Sequence, residues 1–74
     1  MKSQKTLKAV MAGSNAFVIA VDAGQKARTR LESLGIIPGV EVDVVSNTNG
    51  PMLVSIGESR VMVERGVAEK VIVA

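Results

Sequence analysis

The sequence predicts a mainly β fold, a small barrel of about five strands with one α-helix inserted after the first strand. Three observations carry that prediction. From Val40 onward, short segments recur in which Val alternates with charged or polar residues. Before them, Ala27, Leu31 and Leu34 form a single apolar stripe at i, i+4 and i+7. The chain has 74 residues, 47% of them hydrophobic, which allows one domain spanning 1–74. A chain of this size buries only about 60% of the surface it exposes when unfolded, so open strand edges are a liability. Closing the strands into a bent barrel removes them.

The elements follow in order. Met1 to Lys5 is expected to fray. Leu7, Val10 and Met11 recur at i, i+3 and i+4, which suits one helical turn lying on the core. Gly13-Ser14-Asn15 is a turn cluster. Ala16 to Val21 is apolar throughout and reads as a largely buried strand. A helix is placed at Gln25 to Leu34, with Asp22 or Gly24 near its start. Gly35 supplies its left-handed cap, and Pro38 forbids continuation. Val40, Val42 and Val44 then alternate with Glu41 and Asp43, a half-buried strand. Asn47 to Pro51 turns the chain into a strand at Met52 to Ile56. Gly57-Glu58 fits a two-residue type II′ hairpin, in which a Gly with positive φ leads. Arg60 to Arg65 alternates again, Gly66 to Lys70 fits one helical turn, and Val71 to Val73 closes the set. An SH3-like barrel with the helix inserted after the first strand is expected; an OB-like barrel competes on strand count.

Composition excludes most chemistry. No Cys is present, so there is no disulfide, thiol nucleophile or thiolate metal site, and a reducing compartment is compatible. No His is present, so imidazole ligation and near-neutral titration are lost as well. No nucleophile–base pair can be assembled without a Lys or carboxylate base, so the chain reads as a non-enzyme with no cofactor. Nine basic against seven acidic residues, with one aromatic, is a poor footprint for a nucleic-acid binder. The longest apolar run, Ala16 to Val21, falls far short of the ~20 residues of a membrane-spanning helix. The lysines before Ala9 to Ala12 faintly suggest a signal segment, but Gly13-Ser14-Asn15 breaks it, and export is not expected.

Two surfaces remain as candidates. Lys26, Arg28 and Arg30 make the helix basic. Lys26 and Arg30 share one flank of the apolar stripe as an uncompensated i, i+4 pair, while Arg28 faces Glu32. Such a pair suits an external anion or acidic partner, although a charge run of this kind more often marks an ordinary solvated helix face. If Val42, Val44, Val54, Val61 and Val63 point inward, the pleat sends Val45, Leu53 and Met62 outward, as an apolar docking patch or as residues that terminal segments of the bent barrel cover. Glu41 and Asp43 share a strand face about 7 Å apart, too few oxygens for a hard cation and readily explained as a solvated edge. The glycines punctuate element ends, with no phosphate-cradling spacing.

The stretch Arg30-Leu31-Glu32-Ser33-Leu34-Gly35-Ile36-Ile37-Pro38-Gly39 resembles the signature of FeoA-domain proteins, with Arg-Leu, Leu-Gly and Pro-Gly in order. The likeness extends through Leu7, Gly13, Val40 to Val44, Gly50-Pro51, Gly57 and Ala68 to Val73. The resemblance implies an SH3-like barrel and an accessory role in bacterial ferrous iron uptake. It implies a small cytoplasmic protein that partners FeoB, a membrane Fe²⁺ transporter with a cytosolic GTP-binding domain. Similar domains end metal-dependent repressors related to the diphtheria-toxin repressor, but no helix-turn-helix region occurs here. Partner contact is expected through Lys26, Arg28, Arg30, Val45, Leu53 and Met62. A narrower reading, in which Arg28 or Arg30 acts on the partner's nucleotide site as an arginine finger does, stands against the commoner one of ordinary surface Arg on a helix. Two other functions compete. A nucleic-acid-binding barrel would show steep salt dependence. A carboxylate-based metal sensor would show stabilisation by Fe²⁺ or Mn²⁺ but not Mg²⁺.

Overall fold

The computed structural model describes residues 5–74. A 3-10 turn at Leu7–Ala9 leads into β1 (Asn15–Val21), α1 (Gln25–Ser33), β2 (Glu41–Ser46), β3 (Met52–Ile56) and β4 (Ser59–Val63). A short helix, α2 (Arg65–Ala68), precedes β5 (Val71–Val73). The five strands form one antiparallel sheet in the order β4-β3-β2-β1-β5. The single long helix therefore follows the first strand, as the stripe in the sequence predicts.

Turn chemistry sets most boundaries. Gly57 has φ +62°, and no non-glycine residue described has positive φ. With Ile56 opposite Ser59, Gly57-Glu58 is the expected II′ connection. At the end of α1, Gly35 adopts φ +92°. Its N–H donates to the Glu32 carbonyl at 3.0 Å, and the Ile36 N–H donates to the Leu31 carbonyl at 2.9 Å. That is a Schellman cap, and Leu31 and Ile36 bury their side chains together with it. Register shifts between Val18 and Ala20 in β1, and between Val44 and Ser46 in β2, mark bulges that bend the sheet.

The core runs along the inner face through Val18, Val42, Val44, Val54, Val63 and Val71, closed by Leu7, Leu31 and Met52. No polar or charged residue is buried among the described residues. Burial of apolar side chains, at about 25 cal/mol per Å², is thus the main stabilising contribution.

Three expectations need correction. The strand at Ala16 to Val21 is not largely buried, because its residues alternate and Phe17 and Ile19 are each 54% exposed. Uniform apolarity in the sequence conceals which face the barrel covers. Met11 is 73% exposed rather than seated on the core. The turn is 3-10, with about three residues per turn, so Leu7 and Val10 align and Met11 swings away. Lys5, assigned to the frayed end, accepts a 2.9 Å hydrogen bond from the Val73 N–H, and Thr6 bridges Ile72. The remainder of that expectation, residues 1–4, lies outside the described residues.

Candidate functional site

Helix α1 presents its basic residues to two different places. Lys26 and Arg30 lie one turn apart and line a depression of about 640 Å³ between α1 and α2. Ala27 and Val67, both half-buried, lie between them, and Glu64, Gly66 and Lys70 complete the lining. Arg28 projects elsewhere: its Nη2 donates to the Val21 carbonyl at 3.1 Å, tying α1 to the end of β1. The expected pairing of Arg28 with Glu32 is replaced by that bond.

The i, i+4 pair is not uncompensated either. Arg30 Nη2 meets Glu64 Oε2 at 3.0 Å, with both side chains more than half exposed. The partner lies 34 residues further along, outside the reach of helical spacing. Exposed pairs of this kind contribute about 1 kcal/mol at most. Among the described residues, Lys26 and Lys70 have no ion-pair partner, so the groove keeps an excess of positive charge.

The outward apolar residues are brought together as expected. Leu53 and Met62 are direct cross-strand partners on β3 and β4. Val45 occupies the bulge of β2, immediately before Ser46, the partner of Leu53. Met62 is 55% and Val45 39% exposed, whereas Leu53 is half-buried. Of the five Val expected inward, Val42, Val44, Val54 and Val63 are buried and Val61 is half-buried.

Some groups were not singled out by sequence reasoning. Phe17, Ile19 and Ile37 are exposed. Phe17 and Ile19 are two apart on β1 and share its outer face, which the unbroken apolar run does not mark as uncovered. Lys8 and Glu69 meet at 2.5 Å. That hydrogen bond and the Lys8 charge, with Lys70 and Arg65 adding to the field, hold the Glu69 carboxyl below the ordinary glutamate range. No local spacing links residues 61 positions apart.

Glu41 and Asp43 stay exposed on β2, and Glu41 accepts a 2.7 Å hydrogen bond from Asn15 Nδ2. Among the described residues, no three Asp or Glu side chains gather as a metal site would require. No helix there is long and apolar enough to cross a membrane. The described residues include two of the candidate surfaces, a cationic groove with an apolar floor and an outward apolar patch. Both suit recognition of another molecule.

The family model for the FeoA domain matches residues 5–74. The chain belongs to the FeoA domain family. This FeoA-domain chain is 39% identical over 61 residues to a protein of Methanocaldococcus jannaschii provisionally named Fe(2+) transport protein A. That match covers 82% of this chain and 74% of the other. A crystal structure of the iron uptake regulatory protein FeoA superposes with a TM-score of 0.89 at 29% identity, covering 96% of each chain. FeoA of Stenotrophomonas maltophilia, crystallised with zinc and described as a prokaryotic SH3 domain protein, superposes with a TM-score of 0.84. It is 29% identical, covering 95% of this chain and 89% of that one. The barrel is therefore SH3-like, and the OB-like alternative is set aside.

Proposed function

We propose that this FeoA-domain chain is a non-enzymatic accessory protein of ferrous iron transport. It acts by protein–protein contact with an FeoB-type GTP-binding Fe²⁺ transporter on the cytoplasmic side. The observation that carries this reading is the family match across residues 5–74, joined to a relative named for Fe(2+) transport. The description of the Stenotrophomonas maltophilia protein, which proposes a bacterial ferrous iron transport activating factor, points the same way. A binding role is supported by two surface areas of the kind used in recognition, the cationic groove and the apolar patch. Lys26 and Arg30 on the groove, Arg28 against the end of β1, and the patch of Val45, Leu53 and Met62 are the proposed contacts.

The test uses the cognate full-length transporter in detergent or nanodiscs. The tagged chain is expected to retain the transporter, and amides of the groove or the patch are expected to shift on complex formation. Retention no greater than that of an unrelated small barrel would overturn the reading.

A further inference from the structure

The groove between α1 and α2 has features that specify its occupant. Its floor is apolar, formed by half-buried Ala27 and Val67, and Gly66 adds no side chain at its own position on α2. Its rim carries Lys26, Arg30 and Lys70 against a single carboxylate, Glu64, which already holds Arg30 at 3.0 Å. Lys26 and Lys70 are exposed and have no ion-pair partner among the described residues. About 640 Å³ is ample room for one or two side chains. An apolar floor under unpaired ammonium groups matches a ligand that is apolar at one point and anionic beside it. A phosphate polymer supplies no apolar group for the floor.

We infer that this groove binds an acidic, amphipathic segment of the transporter's cytosolic region. One apolar side chain sits on Ala27 and Val67, and flanking carboxylates face Lys26 and Lys70. This rests on the transporter contact proposed above and names the chemistry of the partner at one of its surfaces. Charge complementarity of this type acts on specificity and association rate and weakens with salt.

Two measurements separate the inference from the reading beneath it. In the first, full-length transporter is captured by the wild-type chain and by the K26E/K70E and K26Q/K70Q variants. Both positions are exposed, and amide spectra verify that each variant is folded. In the second, isotope-labelled chain is titrated with overlapping peptides of about 15 residues that tile the transporter's cytosolic segments. Net-acidic peptides are expected to shift the amides of Lys26, Ala27, Gly66 and Val67 saturably. Their Kd is expected to rise about tenfold in K26E/K70E, less in K26Q/K70Q, and to rise as salt increases from about 50 to about 300 mM. Capture by wild type with equal capture by K26E/K70E overturns the inference and leaves the transporter reading intact. So does binding at these amides only by neutral or basic peptides, or no peptide binding there at all. Failure of the wild-type chain to capture the transporter overturns both.

Discussion

Arg65 Nη1 donates to Asn47 Oδ1 at 2.6 Å, and the same Asn47 amide donates through Nδ2 to the Lys8 carbonyl at 3.0 Å and the Val10 carbonyl at 2.7 Å. Arg65 also reaches the Thr48 carbonyl, so one guanidinium at the start of α2 holds the β2–β3 loop, and that loop holds the 3-10 turn. Three segments far apart in sequence are thereby fixed by polar contacts at half-buried side chains. In a domain this small, with an apolar core and little area to spare, such a clasp sets how the N-terminal turn sits on the barrel.

Breaking the clasp is expected to destabilise the fold. Asn47→Ala leaves two carbonyls and a guanidinium with their partner gone, at a cost of about 2 kcal/mol. Arg65→Met removes only one side of the contact and should cost about 1 kcal/mol. Because the two side chains share one network, the double variant should cost clearly less than the sum of the singles. Urea unfolding of the four proteins measures this; strict additivity would show that the clasp is not a coupled unit.

The Lys8–Glu69 contact predicts a pH dependence. The Glu69 carboxyl titrates lower in the folded chain than in the unfolded one, because Lys8 bonds and faces its charged form. A depressed folded pKa means the stabilisation is complete above the ordinary glutamate range and is lost as pH falls through the folded value. Melting temperature should therefore drop on acidification, and Lys8→Met should flatten that part of the profile. The difference should shrink in high salt, because both side chains are substantially exposed. Parallel acid profiles for wild type and Lys8→Met would refute the assignment.

Two glycines should respond oppositely to alanine. Gly35 has φ +92°, and an added Cβ would meet nothing closer than Ile56 Cγ2 at 3.9 Å. Space is available, so the cost of Gly35→Ala is the left-handed backbone itself, about 1 to 2 kcal/mol. Gly66, inside α2, has no positive φ, and nothing lies within 4 Å of an added Cβ. Gly66→Ala should raise stability by about 0.5 kcal/mol, by restricting the unfolded chain. Thermal unfolding of both variants distinguishes these signs.

Where local chemistry decides structure, the fold was legible. Met52 to Ile56 is legible to the residue because Pro51 and Gly57 bound it, and Val71 to Val73 because its β-branched run follows Glu69-Lys70. Gly35 and Gly57 announced their own conformations. The failures share another cause. An apolar run without alternation says nothing about which face is covered, so the sequence does not separate exposed Phe17 and Ile19 from buried Val18 and Val21. Glu64 compensates Arg30 from 34 residues away, and Asn47 meets Arg65 across 18, separations at which sequence pattern carries no signal. The candidate surface was legible in part for the same reason. Strand alternation placed Leu53 and Met62 outward together, whereas the α2 side of the groove depended on tertiary contact.

The apolar patch permits a prediction that separates recognition from folding. Leu53 and Met62 pair across β3 and β4 on the outer face, with Val45 beside them in the bulge. A direct cross-strand apolar pair contributes up to about 1 kcal/mol, so L53S/M62S should stay folded with a modestly lower melting temperature. If the patch is a contact, its truncation removes apolar anchors from the interface centre, where single side chains cost about 2 kcal/mol or more in binding. Capture of the transporter should then fall by more than tenfold. Phe17→Ser provides the control, because Phe17 is equally exposed but lies on β1, opposite Glu41. Loss of capture in L53S/M62S with retention in Phe17→Ser assigns the contact to the β3–β4 face. Equal capture by all three proteins would remove this patch from the interface and leave the α1–α2 groove as the remaining contact.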